Sequence, residues 1–193
     1  MTAAIVLSMT KYSDRGSIVH FYTAAHGRMQ YMAYGNKHKG VLHPLSIVQL
    51  TSSRRNNAPT QIESLSSATL LYTPQRIITD VDRQCVAMFI AEILLHTLRH
   101  PMSDQPLFNW LCKVIQELDQ TIDIRNLHLK FLIEYATFLG IGIDDTEHPE
   151  WFVAPTNRSE RQQRLRELCT YYEEHIEDFR SPKSLDILME VFD

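Results

Sequence analysis

Leu65-Ser66-Ser67-Ala68-Thr69-Leu70-Leu71-Tyr72-Thr73-Pro74-Gln75-Arg76-Ile77-Ile78-Thr79-Asp80-Val81-Asp82-Arg83-Gln84-Cys85-Val86-Ala87-Met88-Phe89-Ile90 is the stretch in which the chain changes its period. Up to residue 73 the apolar residues come in short runs rich in Val, Ile, Thr, Tyr and Phe, which suit half-buried strands. From Asp80 onward Val86, Phe89, Ile90, Ile93 and Leu94 recur three and four apart, the spacing of one helix face, behind the possible caps Asp80 and Asp82. Residues 72–80 are the expected join between a β part and an α part.

Upstream of that join, strands are expected over residues 3–9, 17–23, 28–34, 45–51 and 61–72. Turn-prone breaks separate them: Ser13-Asp14-Arg15-Gly16, His26-Gly27, Gly35-Asn36-Lys37-His38-Lys39-Gly40 and Arg54-Arg55-Asn56-Asn57-Ala58-Pro59. Five short strands suit a small closed barrel, because closure removes the edges that an open sheet leaves ready to pair with other chains. Downstream, apolar stripes run through Leu107, Trp110, Leu111, Val114, Ile115 and Leu118, then through Leu127, Phe131, Tyr135 and Phe138, with Gly140 as a C-terminal stop. After an interruption between Pro149 and Pro155, Leu165, Leu168, Tyr172 and Ile176 form another stripe, and Leu185, Leu188, Val191 and Phe192 close the chain. The expected fold class is α+β, with a five-stranded β-barrel in residues 1–76 followed by an all-α helical domain in residues 77–193.

The 193 residues are enough to bury a core, and 44% apolar with 22% charged residues is an ordinary globular composition. The longest apolar stretches fall well short of the ~20 residues that a bilayer core demands. No basic start followed by an apolar run and a small-residue cleavage site precedes the first strand, so the expected address is the cytoplasm. Cys85, Cys112 and Cys169 lie far apart within apolar helix faces, with no Cys-x-x-Cys spacing, and read as buried thiols rather than zinc ligands.

The net charge of -4 hides a split. Residues 1–80 hold eight basic against three acidic residues, a balance of +5, and the remainder holds 11 against 20, a balance of -9. The basic residues of the β part fall in the breaks: Lys11 and Arg15 bracket the first, Lys37 and Lys39 fill the third, and Arg54 with Arg55 occupies the fourth. Tyr12, Phe21, Tyr22, Tyr31 and Tyr34 accompany them, Phe21 being expected inside the barrel because it alternates with Val19. Cations that track phosphates, beside rings on which unpaired bases stack, are what sequence-tolerant single-strand binding requires. Ordinary solvation of the loops is the bland alternative. A protein-protein adaptor and an RNA-binding barrel are the functional ones.

Catalytic signals are weak. His96 and His100 lie four apart on a helix with no third ligand in view, Asp144, Asp145 and Glu147 suit a solvated loop, and Gly140-x-Gly142 lacks the rest of a phosphate cradle. No enzyme activity, metal or cofactor is expected.

Several segments, taken in order, resemble the bacterial recombination mediator family RecO. They are Ile5-Val6-Leu7, Tyr12-Ser13-Asp14-Arg15-Gly16-Ser17-Ile18-Val19, Phe21-Tyr22-Thr23-Ala24-Ala25-His26-Gly27-Arg28, Tyr34-Gly35-Asn36-Lys37 and Leu42-His43-Pro44-Leu45. In the second half they are Phe131-Leu132-Ile133-Glu134, Phe138-Leu139-Gly140, Tyr171-Tyr172-Glu173-Glu174-His175 and Lys183-Ser184-Leu185-Asp186-Ile187-Leu188. The resemblance implies an oligonucleotide-binding (OB) barrel ahead of a helical domain. It also implies binding of single- and double-stranded DNA, annealing of complementary strands and, with the partner RecR, loading of RecA onto DNA coated by single-strand-binding protein, near the nucleoid. Arg15, Arg28, Lys37 and Lys39 lie in matched segments and are expected phosphate contacts, whereas Lys11, Tyr12, Tyr34, Arg54 and Arg55 rest on charge, aromaticity and position. Family members dock the acidic, Phe-ending tail of single-strand-binding protein on the helical domain, for which Arg125 and Lys130 near Phe131 are candidates. Many members carry a four-cysteine zinc module soon after the Phe-x-x-Glu helix. Residues 141–155 hold no cysteine, so a shortened, zinc-free variant is expected.

Overall fold

A computed structural model describes residues 1–35, 38, 40–53 and 62–192. The β part forms β1 (Thr2–Lys11), β2 (Gly16–Thr23), β3 (Gly27–Tyr34), β4 (Ile47–Ser53) and β5 (Glu63–Leu70). They close into a barrel in the order β1-β2-β3-β5-β4, with β1 returning to pair with β4. All pairs are antiparallel except β3 with β5, whose short parallel contact is Tyr31 opposite Glu63 and Met32 opposite Ser64. This five-stranded Greek-key closure is the OB fold. The alternation that predicted the strands also decides what lies inside. Val6, Val19, Phe21, Tyr31, Val48 and Leu50 point inward and are buried, with the Phe21 and Tyr31 rings edge to face at 5.8 Å.

The α part forms α1 (Val81–Thr97), α2 (Gln105–Gln120), α3 (Leu127–Phe138), a 3-10 turn (Pro149–Phe152), α4 (Arg158–His175) and α5 (Leu185–Val191). Gly140 ends α3 as its sequence position suggests: its φ is +75°, its N–H donates to the Thr137 carbonyl, and the Ile141 N–H donates to Ala136. That double closure satisfies carbonyls the helix end leaves open.

The compact units cut across chain order. Met1–Gln75 forms one with Leu98–Ile115, and Arg76–Thr97 forms the other with Gln116–Asp193. In the first unit the barrel gathers the start of α2 through specific contacts. The Tyr22 ring packs on Phe108 at 6.2 Å, and the Tyr22 hydroxyl donates to the Asp104 carbonyl at 3.4 Å. In the second, the buried Arg83 donates to the carbonyls of Leu118 and of Thr121 (2.7 Å), capping the end of α2. Asp119 accepts from the N–H groups of Arg76 (2.8 Å) and Ile77 (3.0 Å).

Candidate nucleic-acid interface

Residues 12–15 make the turn between β1 and β2, closed by Tyr12 and Ser13 N–H groups that both donate to the Gly16 carbonyl at 3.0 Å. The antiparallel register sets Gly16 opposite Tyr34, and the Gly35 N–H donates to the Arg15 carbonyl at 3.0 Å, so the end of β3 lies beside this turn. Lys11, Tyr12, Arg15 and Tyr34 thereby meet at one end of the barrel. Tyr12 and Tyr34 are 69% and 51% exposed, unusual for rings of that size, and leave faces open to water. Lys11 reaches Asp14 at 3.5 Å, but both side chains are well exposed and such a pair holds its lysine weakly.

Arg28 does not join them. It pairs with Tyr22, six residues up β3 from Tyr34, so at strand rise it sits roughly 20 Å away at the opposite end of the same sheet face. Its Nη1 donates to the Leu98 carbonyl at 3.2 Å. The register thus sets it apart from Arg15. Lys37 and Lys39, like Arg54 and Arg55, lie outside the described residues. Of the accompanying aromatics, Phe21, Tyr22 and Tyr31 are buried and only Tyr12 and Tyr34 offer a face.

Between those two ends runs the outer face of β2 and β3, made by the pairs Gly16/Tyr34, Ile18/Met32, His20/Gln30 and Tyr22/Arg28. From Gly16 to Tyr34 there is no acidic residue. Burial and the positive charge of Arg28 push the His20 imidazole below its ordinary value, which favours the neutral ring. This face and the turn between the first two strands are where OB folds engage oligonucleotides.

In the helical part the three candidates separate. Phe131 is 1% exposed with its ring stacked on Tyr135 at 5.2 Å, so it is core and not a docking residue. It shares the inward stripe of α3 with Leu132 and Tyr135, while Lys130 faces out. Lys130 donates to Glu117 at 2.7 Å and lines a groove of about 530 Å³ with Leu127, Ile133, Trp151 and Phe152. Trp151 and Phe152 belong to the Pro149–Phe152 turn, a stretch whose apolar spacing marks only an interruption between helices. Arg125 lines a different concavity, with Ile122, Ile124 and Phe192, and grips Asp123 through Nε (2.9 Å) and Nη2 (2.6 Å). Those hydrogen bonds hold the Asp123 carboxyl down to about 2. Cys169 is buried and its thiol is pushed up to about 12, chiefly by burial. Among the described residues no three histidine, cysteine or carboxylate groups are assembled as metal ligands, and no helix is long and apolar enough to cross a membrane.

Comparison with known proteins agrees with the geometry. Residues 1–73 match the family described as recombination protein O, N terminal, and residues 78–150 match recombination protein O, C terminal. The DNA repair protein RecO of Christiangramia forsetii is 30% identical, with 99% of this chain and 98% of that protein aligned. The RecO proteins of Flavobacterium psychrophilum and Bacteroides fragilis are each 28% identical over nearly their whole lengths. The first of these alignments runs over 236 positions against the 193 residues of this chain, so at least 43 positions have no counterpart here.

Proposed function

Since this chain belongs to the RecO family of DNA repair proteins, we propose that its barrel binds single-stranded DNA through phosphate neutralisation and base stacking at the end formed by Lys11, Tyr12, Arg15 and Tyr34. The observation that carries this reading is the convergence of two cations and two exposed tyrosines from separate strands at one rim, beside a face without acidic residues. Lys37 and Lys39 follow Tyr34 in the chain and are assigned to the same task on sequence grounds, as are Arg54 and Arg55. Contacts of this kind read the sugar-phosphate rail and the π-faces common to all bases, so they let two strands slide into register. Neutralised phosphates repel a complementary strand less, and annealing then needs no bond-breaking step.

In this reading residues 1–76 hold DNA and residues 77–193 serve partner contacts. The groove beside Lys130 suits the acidic, Phe-ending tail of single-strand-binding protein, because it offers apolar Trp151 and Phe152 next to a lysine that can exchange Glu117 for a partner carboxylate. Working with RecR, the protein would help place RecA on coated DNA at the nucleoid.

Fluorescence anisotropy with unstructured DNA, RNA and an acidic peptide at several salt concentrations tests the barrel assignment. DNA affinity is expected to fall linearly in log-log form with salt. Replacing Lys11 and Arg15 together with Ala is expected to reduce the slope by about 1.4, at ~0.7 per single-strand phosphate contact. Tight binding of RNA alone would favour the RNA-binding barrel, and binding of the peptide alone would favour the adaptor.

A further inference from the structure

Arg161 is a charged residue on the inward stripe of α4, which also carries Leu165, Leu168 and Tyr172. It is 6% exposed, and among the described residues its guanidinium has neither a hydrogen-bond partner nor a carboxylate within ion-pair distance. It lies instead over the Phe192 ring, 5.8 Å from the centroid. The same ring stacks on His128 of α3 at 5.8 Å, with the two planes 3° apart. His128 is 1% exposed, and its enclosed Nδ1 has no hydrogen-bond partner among the described residues. One aromatic ring thus gathers two unsatisfied polar side chains from two helices.

Both side chains line a cavity of about 10 Å³, together with Arg158, Gln162, Met189 and Phe192. That is room for one water molecule or one monatomic ion. Among the described residues no carboxylate lines it. The Met189 carbonyl already accepts from Gln162 Nε2 at 2.7 Å and from Arg158 Nη2 at 3.4 Å. Asp123, the acidic group whose charge reaches Arg161, is gripped by Arg125 at 2.6 Å. The cavity therefore collects N–H donors and offers them no negative group. A water would accept from one of them and leave the buried charge uncompensated, and burying a charge is costly unless it is paired.

We infer that this cavity binds one halide ion between the Arg161 guanidinium and His128, whose ring donates to it in the tautomer that carries its proton on Nδ1. The ion supplies a counter-charge inside the helical unit and joins α3, α4 and Phe192. His128 stays uncharged with the ion in place. Burial is the larger cause of its lowered value, and the ion offsets only the smaller one, the Arg161 charge. The site does not depend on the single-strand reading, and its response to salt has the opposite sign. Chloride that binds only the folded chain stabilises it, whereas added salt weakens a phosphate contact.

The test compares urea unfolding of the full chain in sodium chloride and in sodium gluconate, an anion too large for the cavity, at equal ionic strength. Wild type is set beside Arg161→Met, which keeps an apolar stem over Phe192 and lacks the charge. The variant gives the general difference between the two salts. Beyond that difference, chloride is expected to raise the wild-type folding constant by about 11-fold at ten times its Kd. A crystal of the wild-type chain soaked in bromide is expected to show an anomalous peak between Arg161 and His128. Equal effects of the two salts on wild type and variant would overturn the site, as would a bromide map without that peak. A peak without chloride-specific stabilisation means binding at crystal concentration only and also overturns it. Should Arg161→Met fail to fold, the bromide map decides alone.

Discussion

His128 carries no charge in the folded protein. It is fully enclosed, stacked on Phe192 at 5.8 Å and edge-on to Phe89 at 6.4 Å, and its Nδ1 has no hydrogen-bond partner among the described residues. Burial, reinforced by the Arg161 charge, pushes the imidazole down to about 3. Below its ordinary value of 6.5 the unfolded chain takes up a proton that the folded chain refuses until about pH 3, so stability falls as pH falls across that window. Each pH unit there costs about 1.4 kcal/mol. Urea unfolding from pH 6.5 to 4.5 is therefore expected to destabilise the wild type by about 2–3 kcal/mol more than His128→Phe, which keeps the ring contacts and lacks the titration. Parallel curves for the two proteins would mean that the ring is not desolvated in solution. Phe131 teaches the complementary lesson about single residues. The stripe of Leu127, Phe131 and Tyr135 already assigns it inward, and nearness in sequence to Lys130 and Arg125 carries no information about which way a helical side chain points.

At the scale of elements, polar side chains from one helix finish the ends of another. Glu92 on α1 accepts from the Lys183 and Ser184 N–H groups at 2.9 and 3.0 Å and from the Ser184 hydroxyl at 2.7 Å, just where α5 begins. Burial opposes its ionisation, but the Ser184 and Lys183 hydrogen bonds outweigh burial and hold the carboxyl below its ordinary value. The carboxylate thus contributes stability above about pH 4.5, lost as pH falls through its lower folded value. Glu92→Gln is expected to lower stability by about 1–2 kcal/mol and to free the α5 amides first, as hydrogen exchange would read. Exchange in α5 equal to wild type would assign the docking of α5 to Leu188 and its apolar neighbours alone. Such caps are illegible beforehand, because Glu92 and Ser184 are 92 residues apart.

The whole molecule is polarised in charge along its chain, and polarity of that kind acts on partners rather than on fold. Lys130 lies outside the strand site proposed for the barrel, so it contributes nothing to the counterions that DNA binding releases. Lys130→Ala is therefore expected to leave the salt slope for DNA at its wild-type value while weakening an acidic Phe-ending peptide several-fold. A lowered DNA slope would move Lys130 into the strand site, and unaltered peptide binding would remove the groove beside it as the docking place.

Taken alone, the amino-acid sequence determined the class of the strands and α-helices and the place where one class yields to the other, though not the 3-10 turn at Pro149–Phe152. Strands expected at residues 17–23 and 28–34 form as Gly16–Thr23 and Gly27–Tyr34, and the helical stripe from Val86 forms as Val81–Thr97. Those choices depend on which neighbouring side chains avoid water, and period records that locally. Lys11, Tyr12 and Arg15 were legible as a group because one turn holds them. Only tertiary structure decided that Tyr34 joins them, that Arg28 stands at the other end holding the Leu98 carbonyl, and that residues 98–115 belong with the barrel. The physical reason is register: hydrogen bonds between residues far apart in the chain choose which side chains meet, and no local pattern encodes that choice.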